Sequence, residues 1–153
     1  MFIRQVYVFF IGVLLATFIG VGVAAFYEGP KSPEYPMRQE FVEGKCNPTA
    51  EELQYEKDQR AFMEANKIYS RNISIITIIF AVAVLVISLT LLNKLQLISD
   101  GLLLGGLFTE LYSIIRGFES EDNLFRFVVV AIGLATSLIV GYLKFIKPSQ
   151  NNR

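Results

Sequence analysis

The sequence predicts an all-α protein: a four-helix transmembrane bundle whose second helix extends well outside the membrane. Hydrophobic residues make up 53% of the 153-residue chain and charged residues only 18%. A chain of this size has too little polar surface to cover itself in water. Several apolar stretches are long enough to cross a bilayer, and a run of helix-forming residues leads without interruption into one of them.

The first and second predicted spans are the clearest, because neither contains a charged residue. They comprise residues 5–27 and 72–93. Both meet the requirement of about 20 apolar residues for crossing about 30 Å of hydrocarbon. A helix satisfies its own backbone there, whereas an open strand leaves N–H and C=O groups unpaired.

The first span has a second interpretation, a cleaved signal peptide, because Arg4 precedes the apolar run and small residues follow it. The apolar region of a signal peptide usually has about 7 to 15 residues. The uncharged run here is longer, which favours a retained span. Cleavage would leave three spans.

The third and fourth predicted spans carry charges. Residues 95–116 include Asp100 near the start and Glu110 in the interior, and residues 125–146 include Lys144. Asp100 is placed to complement the dipole at the start of its helix. Residues 147–153 form a polar tail.

The region between the first two spans divides into two parts. Residues 28–48 contain four of the five prolines and are predicted to be an extended, irregular extramembrane segment. Thr49 and Glu52 have the spacing of a capping box, which predicts a projecting helix over residues 49–71 that is continuous with the second span. Such a helix reaches about 30 Å from the membrane.

An aromatic stripe runs along this projecting helix, where Tyr55, Phe62 and Tyr69 recur every seven residues. One interpretation is that the Pro-rich segment or a second copy of the helix covers the stripe. The other is a docking face, which makes these three residues the candidate partner-binding site.

The candidate intramembrane polar site centres on Glu110. It lies on one helical face with five other residues, because the spacings within the set alternate between four and three residues. The six residues are Ser99, Leu103, Gly106, Glu110, Ser113 and Gly117. A carboxylate at this depth must be protonated, be hydrogen-bonded across helices, or face water. It therefore acts either as a structural link or as a proton or cation site. Its candidate donors are Thr17, Thr77, Ser88, Thr136, Ser137 and Tyr142.

Small residues also recur every four positions in the outer spans, which predicts close helix packing within the chain or between copies. The first span has Gly12, Ala16, Gly20 and Ala24, and the fourth has Gly133, Ser137 and Gly141.

The composition argues against several kinds of chemistry. The chain has no His, no Trp and one Cys, so we expect no metal or other cofactor and no internal disulfide. Phosphate-binding and nucleophile motifs are absent, so an enzyme is not expected, with a lipid-modifying membrane enzyme as the exception. The formal net charge of zero gives no basis for binding nucleic acid.

The distribution of basic residues predicts the orientation. Both termini are expected to be cytoplasmic, with residues 28–71 on the opposite side, because short segments on the terminal side carry more Lys and Arg. Cys46 would then lie in an oxidising space.

The predicted function is that of a multi-pass membrane protein acting as a non-catalytic assembly or interaction module. Its partners would be the lipid bilayer, further copies of itself, and another membrane or peripheral protein. The alternative is an oligomeric ion channel or proton-coupled carrier in which Glu110 lines the pathway.

Overall fold

The computed structural model describes residues 2–34, 50–91 and 95–146. Within these residues the protein is all-α, as predicted, and its four helices are each long and apolar enough to span a membrane. The chain is therefore a multi-pass membrane protein. The helices are α1 (Phe2–Phe26), α2 (Ala50–Leu91), α3 (Gln96–Phe118) and α4 (Asn123–Gly141).

Helix α2 is continuous over 42 residues, which confirms the prediction that the projecting helix runs directly into the second span. Glu51 and Glu52 lie in its first turn, where negative charge complements the helix dipole. No glycine or proline interrupts the sequence between Ala50 and Leu91, so the backbone hydrogen bonding can continue through both environments.

Helix α3 lies at the centre of the bundle and packs against α1, α2 and α4. Arg4 at the start of α1 and Lys144 at the end of α4 both reach Asp100 at the start of α3. The starts of α1 and α3 therefore lie at the same end of the bundle as the end of α4. Since the α3–α4 turn is short, α4 runs antiparallel to α3. The ion pairs show that α1 runs parallel to α3.

The turn between α3 and α4 is held by local capping. The Asp122 side chain accepts hydrogen bonds from the backbone N–H groups of Leu124 and Phe125, at 3.0 and 3.2 Å. The Arg126 guanidinium donates to the carbonyl of Phe118 at the end of α3, at 2.6 and 3.1 Å. After α4 the chain continues in a π-helical turn, Tyr142–Ile146.

Several predicted features lie outside the described residues. They are residues 35–48 of the Pro-rich segment with Cys46, Thr49 of the capping box, the last residues of the second predicted span and the polar tail at residues 147–153.

Candidate intramembrane polar site

Two pairs of serines join α2 to α3 in a reciprocal arrangement. The Ser74 hydroxyl donates to the carbonyl of Ser113 at 2.8 Å, and the Ser113 hydroxyl donates to the carbonyl of Ser74 at 2.7 Å. Ser88 and Ser99 repeat this exchange at 2.7 and 2.8 Å. All four side chains are fully buried. The serines therefore satisfy each other inside the bundle, and their hydrogen bonds fix the register of the two helices.

The two serine pairs are separated by two heptads, and small residues occupy the position midway between them. Ala81 is buried on α2, seven residues from each of its serines, and Gly106 is buried on α3 in the same relation. A Cβ at Gly106 would stand 2.7 Å from Leu85 Cδ2 and 3.5 Å from the Ala81 carbonyl. Gly106 therefore permits a close approach of α2, and it belongs to the helix interface.

Glu110 is buried on the same face of α3 and bonds to α4. The Thr136 hydroxyl contacts Glu110 Oε1, and the Ser137 hydroxyl donates to Oε2 at 2.9 Å. These are two of the six donors that the sequence offered. Among the other four, Thr17, Thr77 and Ser88 donate to backbone carbonyls. Glu110 therefore links α3 to α4 through hydrogen bonds within one chain.

A cleft of about 340 Å³ opens between α3 and α4 beside this carboxylate. Glu110 and Gly133 are buried at its floor, whereas Leu111 and Leu134 are exposed at its rim. A Cβ at Gly133 would stand 3.0 Å from Ile114 Cδ1 and 3.5 Å from Glu110 Cγ. The glycine of the predicted α4 stripe therefore makes the space in which the Glu110 side chain lies.

The small-residue stripe of α1 is used only in part. Gly12 faces Leu104, and Ile11 and Leu15 fill the space above Gly101 and Gly105 of α3. Among the described residues, no packing neighbour lies within 4 Å of a Cβ at Gly20 or at Gly141 of α4. Gly101 and Gly105 form a second packing face of α3, on the side of the helix away from the predicted polar face.

Asp100 lies just after the first turn of α3, and its partners are two basic side chains rather than the helix dipole. It accepts from Arg4 at 3.3 Å and from Lys144 at 2.6 Å, and its side chain is only a quarter exposed. The partners lie 96 and 44 residues away in sequence. These two ion pairs join α3 to α1 and α4, a role that the predicted interaction with the helix dipole did not include. The clustering of basic residues at this predicted membrane face was the signal that could have revealed the contact.

Polar contacts also join the helices at the opposite end of the bundle. Glu119 accepts from Ser70 and from Arg116, each at 2.7 Å, and Lys67 reaches Glu121 at 2.5 Å. Burial raises the pKa of Glu119, but the hydrogen bonds from Ser70 and Arg116 lower it by more, so the net shift is downward. These contacts attach α2 to the α3–α4 turn.

The aromatic stripe is half-buried along its length. Tyr69 stacks on Tyr27 with ring centroids 5.4 Å apart, and its hydroxyl donates to the Tyr27 carbonyl at 3.1 Å. Asn72 donates to the Tyr27 hydroxyl at 2.8 Å. Tyr27, the last residue of the first predicted span, therefore covers Tyr69, and the two interpretations of the rest of the stripe stay open. Tyr55 and Phe62 are also half-buried, and their role as partner-binding residues stays a prediction.

The polar groups inside the described part of the bundle all have partners. None of its buried side-chain nitrogen or oxygen atoms lacks a hydrogen bond. In the same residues, no three His, Cys, Asp or Glu side chains come together as metal ligands. No protein-family model, curated protein or solved structure matches the chain.

Proposed function

We propose that this protein is a non-catalytic membrane assembly module, in which the bundle holds the outer part of α2 in place as a contact surface. The observation that carries the proposal is the length of α2, because one continuous helix forms both the second membrane span and the projecting part. Among the described residues, Lys67 and Ser70 of α2 contact the α3–α4 turn. At about 1.5 Å per residue, Ala50 lies about 25 Å beyond Lys67.

The projecting part of α2 also exposes apolar residues away from the aromatic stripe. Leu53, Met63 and Ile68 are exposed, with 46%, 51% and 56% of their surface accessible. On a helix of 3.6 residues per turn, none of them shares the face of the aromatic stripe. Single apolar residues are ordinary on a protein surface, so these three support a contact surface only in addition to the aromatic stripe.

The satisfied interior of the bundle supports a structural role for its polar residues. The serine pairs join α2 to α3, and Glu110 joins α3 to α4, so each set of hydrogen bonds fixes the position of a helix. A stable bundle of this kind restricts the direction in which α2 leaves the membrane. That restriction reduces the conformational freedom a partner has to remove on binding.

The test is crosslinking in the native membrane with variants of the projecting helix. We expect the full-length chain to form a crosslinked species larger than the monomer. The double variants Tyr55→Ser/Phe62→Ser and Leu53→Ser/Met63→Ser should each weaken it about tenfold or more, since buried apolar anchors dominate interface energies. Phe80→Ser, an exposed position within the span of α2, is the matched control and should leave it unchanged.

Two results would contradict the proposal. One is a chain that remains monomeric in its own membrane, and the other is a crosslinked species that persists in both double variants. Folding of each variant is checked by its elution volume in detergent, so a lost complex is distinguished from an unfolded protein.

The oligomeric channel or proton-coupled carrier is the second candidate, and the position of Glu110 beside an open cleft is the observation that favours it. Ion flux into liposomes tests this candidate with Glu110→Gln, which keeps a donor and an acceptor at the same position. An altered flux or pH dependence supports the transport function. Equal flux in both proteins opposes it.

A further inference from the structure

The cleft between α3 and α4 combines an apolar wall with one buried acid. Its lining consists of Leu107, Glu110, Leu111, Ile114, Val130, Gly133, Leu134 and Ser137. The exposed rim residues Leu111 and Leu134 belong to membrane-spanning helices, so the opening faces lipid. Its volume of about 340 Å³ lies within the range of about 300 to 1,000 Å³ that small-molecule sites occupy.

Glu110, at the floor of this cleft, differs from Asp100, the other acid in the described spans, in the charge of its partners. Asp100 has two cationic partners, Arg4 and Lys144. In the described part of the chain, Glu110 accepts hydrogen bonds from the hydroxyl groups of Thr136 and Ser137. A carboxylate offers about four lone-pair positions, so two hydroxyl contacts leave acceptor capacity for a donor that enters from the cleft. An entering cation would supply the opposite charge that the lining residues lack.

The depth of Glu110 restricts the shape of such a molecule. Glu110 lies eight residues before Phe118, the last residue of α3, so it is about 12 Å from that end of the helix. An amine at the tip of a single alkyl chain would remain at the membrane surface. A donor at this depth therefore needs apolar groups on both sides.

We propose that the α3–α4 cleft binds a lipid-soluble amine, with apolar groups on both sides of a protonated nitrogen that donates to the Glu110 carboxylate. The apolar groups lie along Leu107, Leu111 and Leu134, and the nitrogen lies beside Ser137. This site is independent of the assembly function, because it uses neither the projecting helix nor the aromatic stripe.

The test uses the full-length chain in lipid nanodiscs and a dialkylamine that carries a diazirine in one alkyl chain. Light attaches the probe to the residues it contacts, and peptide mass spectrometry locates them. We expect adducts on the cleft residues of α3 and α4. The same amine without the diazirine should compete, whereas the matched ether, in which oxygen replaces the N–H group, should not.

Two variants separate recognition by the acid from partition into lipid. Glu110→Gln keeps hydrogen bonding to Thr136 and Ser137 but removes the negative charge. We expect about tenfold less labelling of the cleft, because a hydrogen bond to a charged group is lost. Leu134→Trp narrows the rim without contacting the carboxylate and should also reduce labelling. Asp100→Asn, a carboxyl group outside the cleft, should leave labelling unchanged.

Three results would overturn the proposal. The first is equal labelling of the wild-type protein and Glu110→Gln. The second is competition by the ether as strong as that by the amine, which would identify an apolar crevice without selectivity for a cation. The third is labelling spread over the exposed faces of all four helices, which would mean that the probe only dissolves in lipid. Elution volume in detergent confirms that each variant is folded.

Discussion

Helices α1 and α3 cross the same membrane, but they present opposite surfaces. Much of α1 is exposed, including several of its phenylalanines, whereas α3 buries serines, glycines and Glu110 against three neighbouring helices. Lipid is as apolar as leucine, so burying leucine gains little in a membrane, while close packing and hydrogen bonds between helices gain more. Among the described membrane-spanning stretches, the one richest in polar and small residues therefore occupies the centre of the bundle.

The largest expected effect comes from adding volume at the centre of α3. Gly106→Val puts new atoms against Leu85, which is itself fully buried. We expect a loss of about 1 to 3 kcal/mol or more in the free energy of unfolding, because overpacking forces side chains and backbone to shift. Thermal unfolding in detergent, followed by elution volume, measures the loss.

The matched control for this substitution is Gly20→Val in α1. Within the part of the chain that the structure describes, no packing neighbour lies within 4 Å of a Cβ at Gly20, so we expect the new side chain to meet lipid. Stability close to that of the wild-type protein is expected. Equal losses at the two glycines would remove the distinction between the central and the peripheral helix.

Removing the carboxyl group of Glu110 is expected to have the next largest effect. Glu110→Leu leaves the Ser137 hydroxyl without its acceptor on α3, and the cost should be about 1 to 3 kcal/mol. Glu110→Gln supplies one donor and one acceptor at the same position, so its cost should stay below about 1 kcal/mol. The two variants are compared by the same unfolding measurement. A glutamine variant as unstable as the leucine variant would contradict a purely hydrogen-bonding link.

The serine pairs test the register of α2 against α3. The expected effects on stability are smaller, and the effects of the two pairs should add. Ser74→Ala and Ser113→Ala remove the two halves of one exchange, so their effects should be coupled by about 0.6 kcal/mol. Ser74→Ala and Ser99→Ala belong to different pairs, and their effects should add. A double-mutant cycle measures both quantities, and coupling across the two pairs would show that they do not act independently.

The smallest effect is expected at Glu119, outside the spans. Burial raises the pKa of Glu119 in the folded protein, but the hydrogen bonds from Ser70 and Arg116 lower it by more. The contribution of Glu119 to the free energy of unfolding is therefore complete at neutral pH. That contribution is lost as the pH falls below about 4, through the folded-state pKa. The Glu119 carboxylate is partly exposed, so we expect it to contribute at most about 1 kcal/mol to the free energy of unfolding. Unfolding of the wild-type protein and Glu119→Gln is compared from pH 7 to pH 3. A difference that does not narrow with acid would contradict the assignment.

The sequence was sufficient for the features that depend on one helix. An uninterrupted helical run predicted the continuity of α2, and the spacing of Ser99, Gly106, Glu110 and Ser113 predicted a common face of α3. The sequence could not specify which neighbour meets which face. The Asp100 contacts with Arg4 and Lys144 depend on three helices meeting, and periodicity within one helix contains no information about that meeting. For the same reason, six hydroxyl donors were possible for Glu110 before the packing of α4 selected Thr136 and Ser137.

The most direct measurement of the central position of α3 is a spin-label scan along this helix, on a chain in which Cys46 is replaced by Ser. Single cysteines at Leu111 and Ile115 should collide with oxygen, which dissolves in lipid, and not with a water-soluble nickel chelate. Cysteines at Ser99 and Ser113, which nearly keep the volume of serine, should resist attachment of the spin label, because both positions are fully buried. Efficient labelling at Ser99 or Ser113, or nickel access at Leu111 and Ile115, would contradict a helix whose polar face is sealed by its neighbours.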